Sequence, residues 1–171
     1  MRLIGKPAKI LFFNDHMNNL FRSLKDYKIY YKDIKKNIRK LIKINIKNKK
    51  KYDHLFRVAV NKKMISVSLR KRPKPKLNFK LKLINYKRID PEYKNLKYKK
   101  IISHLKKMDI TKSDIALYKD NKILETGTSN LLFIKKNKIY SPLDSFYKGT
   151  TYKFFTKQLK NSENYSNLIL S

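Results

Sequence analysis

The chain has 171 residues, enough for one large domain or two small ones, and its lack of cysteine excludes disulfides, thiolate metal sites and cysteine nucleophiles. Its net charge of +32 points first to nucleic acid, because lysines that neutralise phosphates release counterions. Only seven of the 44 basic residues are arginine, however, and the lysines run from end to end beside abundant asparagine, isoleucine and tyrosine; this is the bias of AT-rich codons, so charge alone does not assign a nucleic-acid partner.

From Asn14, NDHMNNLFRSLKDYKI places Met17, Leu20, Phe21 and Leu24 on one helical face, with Asn14 or Asp15 as the expected N-cap. A second helix follows through Ile34, Ile38, Leu41 and Ile42. The period then changes: LFRVAV and KMISVSLR read as strands joined by the turn NKK. Beyond the two prolines of KRPKPK, the stretch LNFKLKL puts Leu77, Phe79, Leu81 and Leu83 on one face of another strand. This α+β unit is expected to end near Tyr86, giving a small N-terminal domain over 1–86 and a second over 87–171.

The second part opens with a helical stripe of Tyr98, Ile101, Ile102, Leu105 and Met108. Four short strands are expected next, DIALYK, ILET, NLLFIK and IYSP, separated by the turns DNK, Gly127 and KNK, as a meander flanked by helices. YKGTTYKFFTKQL then reads as a glycine-led turn into a last helix, and the polar tail ends in the apolar LIL. The three histidines, His16, His54 and His104, lack ligand spacing, so no metal site is expected. No apolar stretch reaches bilayer length and MRLIGKPAKI lacks a signal core, so a soluble, cytoplasmic protein without a membrane partner is the expectation.

The order YKNLKYKKIISHL, SDIALYKDNKILETGTSNLLFIKKNKIYSP, YKGTTYKFF resembles the class IV (fold-type IV) pyridoxal-phosphate enzymes over roughly Ile89 to Phe155. Among them are branched-chain and D-amino-acid aminotransferases and 4-amino-4-deoxychorismate lyase. A lysine that opens a helix, a glutamate, an asparagine five residues on, a TP turn and a glycine-threonine loop match Lys94, Glu125, Asn130, Ser141 with Pro142, and Gly149 with Thr151. The resemblance implies a two-domain fold with a shortened N-terminal domain, and pyridoxal 5′-phosphate in the cleft between the domains.

Lys94 is the implied catalytic residue, since a lysine amine condenses with the cofactor aldehyde and shuttles the substrate's α-proton. Glu125 is implied to meet the pyridine nitrogen, whose proton makes the ring an electron sink. Gly149, Thr150 and Thr151 at a helix start are implied to bind the phosphate. Lys97 is the rival lysine if the alignment slips by three, Tyr98 packs on the helix face or lies against the cofactor, and Thr128 and Ser129 form either an ordinary hairpin or a cofactor loop. Asn130 stabilises the turn or the site.

The first half matches through His16 and Leu20, but Asn19 stands where the family has a phosphate-binding arginine, with Arg22 nearby. Arg57 falls where some members contact the substrate carboxylate, or is a charge at a strand edge. Both ends are shorter than the family's. The short length and KNLKYKKII favour the lyase, which makes 4-aminobenzoate for folate synthesis, over an aminotransferase. A homodimer acting on a small anionic amino-acid-like substrate is implied; the reading of a different class is a basic RNA-binding protein or an inactive remnant of the enzyme.

Overall fold

A computed structural model describes residues 1–47, 49–160 and 165–168, the last four by backbone alone. The chain divides into two compact units, Met1–Arg72 and Pro73–Ser171.

In the first unit β1 (Arg2–Gly5), β2 (Lys9–Ile10), β3 (Tyr52–Val60) and β4 (Ile65–Lys71) form an antiparallel sheet ordered β2-β1-β3-β4. Alternate residues of β3 face the core: Tyr52 and Phe56 pack with Leu3, Val67 and Leu69, and with Ile42 and Ile46 at the end of a helix. That helix is α2 (Ile34–Asn45), whose Ile38 is fully buried; α1 (Phe13–Asp26) buries Met17 and Leu24. The helix before α2 starts at Phe13, two residues ahead of one capped by Asn14. Phe12, in the left-handed region at φ 53°, occupies the cap position and no side chain caps the end, in place of Asn14 or Asp15. The NKK turn forms as expected, tied by Asn61 Oδ1, which accepts from the Lys63 and Met64 amides.

In the second unit β5 (Lys80–Asn85) pairs in parallel with β6 (Ser113–Lys119), which pairs antiparallel with β7 (Lys122–Thr126). This pairing draws β5 into the second unit, so the division falls at Arg72/Pro73 and not at Tyr86. The strand also begins at Lys80, leaving Leu77 93% exposed, and Leu81 and Leu83 lie exposed beside it. On its other face Lys80 and Lys82 are exposed too, and the half-buried Ile84 joins Ile115 and Leu117 beneath Ile101 of α3 (Lys99–Leu105), with Tyr98, Leu105 and Met108 completing the cluster. Ile102 of the expected stripe is exposed.

The expected four-stranded meander is split. β8 (Phe133–Lys135) and β9 (Lys138–Pro142) form a separate sheet with β10 (Tyr165–Leu168), which runs parallel to β9. The break follows from Gly127 to Leu132, which leave the ladder after β7. Two two-residue turns are as the sequence implied: Asp120–Asn121 and Lys136–Asn137 both take positive φ at their two central positions, the conformation whose twist suits a tight hairpin. The final helix, α4 (Thr150–Leu159), packs on β9 through Tyr152, whose hydroxyl donates to Ser141 Oγ at 2.9 Å and whose ring meets Phe146 edge-on. Of the terminal LIL, only Leu168 lies within the described residues. No helix among them is long and apolar enough to cross a membrane.

Candidate active site

One arginine organises the segment between β5 and α3. Arg88 is buried, and its planar fork is spent in three directions: Nε donates to Glu125 Oε1 at 2.5 Å, Nη2 to the Pro91 carbonyl at 2.7 Å and Nη1 to the Tyr98 hydroxyl at 3.1 Å. A lysine ammonium could not span these acceptors from one position, whereas a guanidinium presents five donors in fixed geometry. Asn95 closes the same loop, donating to the Ile89 carbonyl at 2.7 Å and accepting from the Lys97 amide at 3.0 Å. The loop 89–98 therefore has a defined shape despite its four exposed lysine, leucine and glutamate side chains.

Glu125 sits at the inner end of β7, opposite Leu117 of β6, and is 6% exposed. A buried carboxylate needs partners, and it has them: Arg88 on one side and the Tyr147 backbone amide on another. Burial pushes the Glu125 carboxyl above its ordinary range, while Arg88, the Tyr147 amide and the nearby Lys94 charge pull it back in part. Lys94 itself is exposed, with Nζ 5.6 Å from the centroid of the Tyr147 ring. Tyr147 is thus shared between the two residues, its ring with Lys94 and its backbone amide with Glu125. Lys97, the rival lysine, is ion-paired with Asp90 at 2.8 Å on the exposed side of the loop.

Asn130 couples this cluster to the start of α4. Its Nδ2 donates to the Tyr147 carbonyl at 2.5 Å, and its Oδ1 accepts from the Gly149 amide at 3.1 Å. A side chain at Gly149 would place Cβ 2.9 Å from that same Oδ1, which accounts for the glycine. Gly149 is extended (φ −65°, ψ 161°) and the ten-residue helix that follows points its positive dipole end outward from it. Thr150 is buried at that end and Thr151 is exposed.

The TGTS stretch is a tightly tied turn. Thr126 Oγ1 accepts from the Thr128 and Ser129 amides, and Thr128 Oγ1 donates to Asp114 Oδ2 at 2.6 Å. Gly127 is required there, since an added Cβ would lie 2.8 Å from Asp114 Oδ1 and 2.9 Å from Ile115 Cγ1. Tyr98 turns to Arg88 and the core beneath α3. Arg57, His16, Asn19 and Arg22 all belong to the first unit; Arg57 is exposed on the sheet face opposite the core, across from Ser68.

The sequence reading missed Arg88. Its signal was present: one of seven arginines in a lysine-flooded chain, just after a strand and ahead of Pro91. The Arg88–Glu125 pair spans 37 residues, and no local period connects them.

Residues 1–167 match the profile of the family described as amino-transferase class IV. A provisionally named 4-amino-4-deoxychorismate lyase from Legionella pneumophila subsp. pneumophila str. Philadelphia 1 superposes with a TM-score of 0.73 at 17% identity, over 98% of this chain and 70% of that one. A second provisionally named lyase, from Haemophilus somnus 129PT, gives 0.68 at 18% identity, over 98% and 84%. A branched-chain aminotransferase from Thermoproteus uzoniensis with norvaline gives 0.74 at 14% identity, over 98% and 65%. No curated protein matches.

Proposed function

Because this chain belongs to the amino-transferase class IV family, whose enzymes use pyridoxal 5′-phosphate, we propose that the Lys94–Glu125 cluster is the working site of a 4-amino-4-deoxychorismate lyase. Such an enzyme eliminates pyruvate from its substrate and leaves 4-aminobenzoate. The observation that carries the reading is the common support of Lys94 and Glu125 around Tyr147 in the second unit.

The donor set suits the cofactor. A buried carboxylate backed by Arg88 would hold the ring nitrogen and its proton, the Lys94 amine would hold the aldehyde carbon, and the N-terminus of α4 with Thr150 and Thr151 would hold the phosphate. When bound, the cofactor supplies an electron-withdrawing ring that acidifies the substrate's α-carbon. Lys94, neutral for part of the cycle, takes the α-proton and returns one to the product. Asn130 keeps α4 and Tyr147 in register while this happens. A small anionic substrate is attracted by the +32 chain, and the homodimer belongs to the same proposal. The lyase is preferred over an aminotransferase because the lysine segment KNLKYKKII around Lys94 resembles the lyase's more than the aminotransferases'.

The test joins spectroscopy to product analysis. The purified protein with added pyridoxal phosphate is expected to show a band at roughly 410–420 nm that borohydride removes and Lys94→Ala lacks. With 4-amino-4-deoxychorismate it should release pyruvate, and Lys94→Ala should lower that rate by about a hundredfold or more. Transfer of an amino group from branched-chain amino acids to 2-oxoglutarate, without pyruvate release, would replace the lyase by an aminotransferase. The absence of both band and product would overturn the catalytic reading.

A further inference from the structure

The first unit carries a groove of about 820 Å³ along α2, remote in sequence from Lys94 and Glu125. Its lining includes Lys35, Lys36, Arg39, Lys40 and Lys43. At about 100° per residue these five cations occupy a single arc of about 140° on the helix, while Ile38, Leu41 and Ile42 take the opposite side and Ile34, in the first turn, also borders the groove. They extend along about 12 Å of the helix axis. One carboxylate, Asp33, lies among them. Uniform codon drift loads lysine everywhere, but only an amphipathic helix beside a concave wall aligns five cations along one channel.

Two aromatic side chains share the lining. Tyr31 and Phe21 line the groove, and Lys35 Nζ lies 5.2 Å from the Phe21 ring centroid. The Tyr31 hydroxyl is buried without a hydrogen-bond partner while the residue as a whole is half-buried, so it is the ring and not the polar tip that borders the groove. A groove lined by a row of cations together with aromatic rings is the arrangement that single-stranded nucleic acid uses, with the backbone along the charges and bases stacked on the rings. An anionic membrane presents a plane, and a concave channel bordered by cationic side chains suits a strand better.

We infer that the α2 groove is a binding site for single-stranded nucleic acid, a second function independent of the lyase reading. The probe is a fluorescent twelve-nucleotide oligouridylate, titrated by anisotropy from 0.05 to 0.3 M salt against the full chain. Two triple variants remove equal charge: Lys36→Gln, Lys40→Gln and Lys43→Gln in the groove, and Lys62→Gln, Lys63→Gln and Lys82→Gln at exposed positions outside it. Circular dichroism and thermal melting verify that both remain folded.

The groove triple is expected to weaken binding about tenfold and to lower the salt slope by about 2, near 0.7 for each phosphate no longer neutralised. The control triple should change neither by a comparable amount. Tyr31→Leu should weaken binding with the slope unchanged, and Tyr31→Phe should retain it. Equal losses in the two triples would make the attraction diffuse and overturn the site. An unchanged affinity in the groove triple would overturn it too, as would loss of binding to phosphatidylserine vesicles with oligouridylate binding intact, which would assign the groove to a membrane surface. An unaffected Tyr31→Leu variant would overturn the stacking wall.

Discussion

Arg88 shows how much a single side chain can decide. The pair it forms with Glu125 is almost fully desolvated, so the two charges are cheap only together. Arg88→Leu is expected to cost about 3–5 kcal/mol of stability, because Glu125 is left buried and uncompensated. Adding Glu125→Leu should recover most of that loss while abolishing the cofactor absorbance. Urea denaturation of the two variants checks this; equal destabilisation in the single and double variants would mean that the Arg88 bonds to the Pro91 carbonyl and Tyr98 dominate instead. At this scale the sequence was legible where a residue type was scarce. A glutamate stands out among three, and Glu125 is indeed buried at the centre of the cluster. Its partner was not legible, since arginine does not advertise which of its donors will be used or across what distance.

Among the elements, those defined by their own period were read well: α1, α2, β3, β4, and the two hairpin turns at Asp120–Asn121 and Lys136–Asn137. Those defined by a distant neighbour were not. β5 looked like the last strand of the first unit because only its parallel pairing with β6 assigns it to the second, and the four-strand meander was broken by a turn whose Thr126 and Asp114 bonds direct the chain off the sheet. The joint between β7 and α4 depends on Asn130. Asn130→Ala removes its bonds to the Tyr147 carbonyl and the Gly149 amide and is expected to cost about 1–3 kcal/mol. The affinity for pyridoxal phosphate should fall further than that of Asn61→Ala, which unties a turn in the first unit. Fluorescence titration of the cofactor against the two variants makes the comparison, and equal affinities would remove Asn130 from the support of the site.

Taken as a whole, the molecule carries 44 basic and 12 acidic side chains. Mutual repulsion on that scale opposes compaction, and salt screens it within a Debye length of about 8 Å at physiological ionic strength. Raising sodium chloride from 0.05 to 0.5 M is therefore expected to lift Tm by about 2–4 °C, the equivalent of about 1 kcal/mol for a chain of this size. Scanning calorimetry reads this directly, and a falling Tm would mean that attractive surface pairs such as Arg2–Asp53 outweigh the repulsion. A chain so dominated by lysine also makes the surviving arginines informative. One purine exchange turns the arginine triplet AGA into the lysine triplet AAA, the direction that an AT-rich codon bias favours. At position 88 that step would trade a fork joined to Glu125, Pro91 and Tyr98 for a single ammonium able to reach one of them at a time, and the second unit would lose its central pin to a one-letter change.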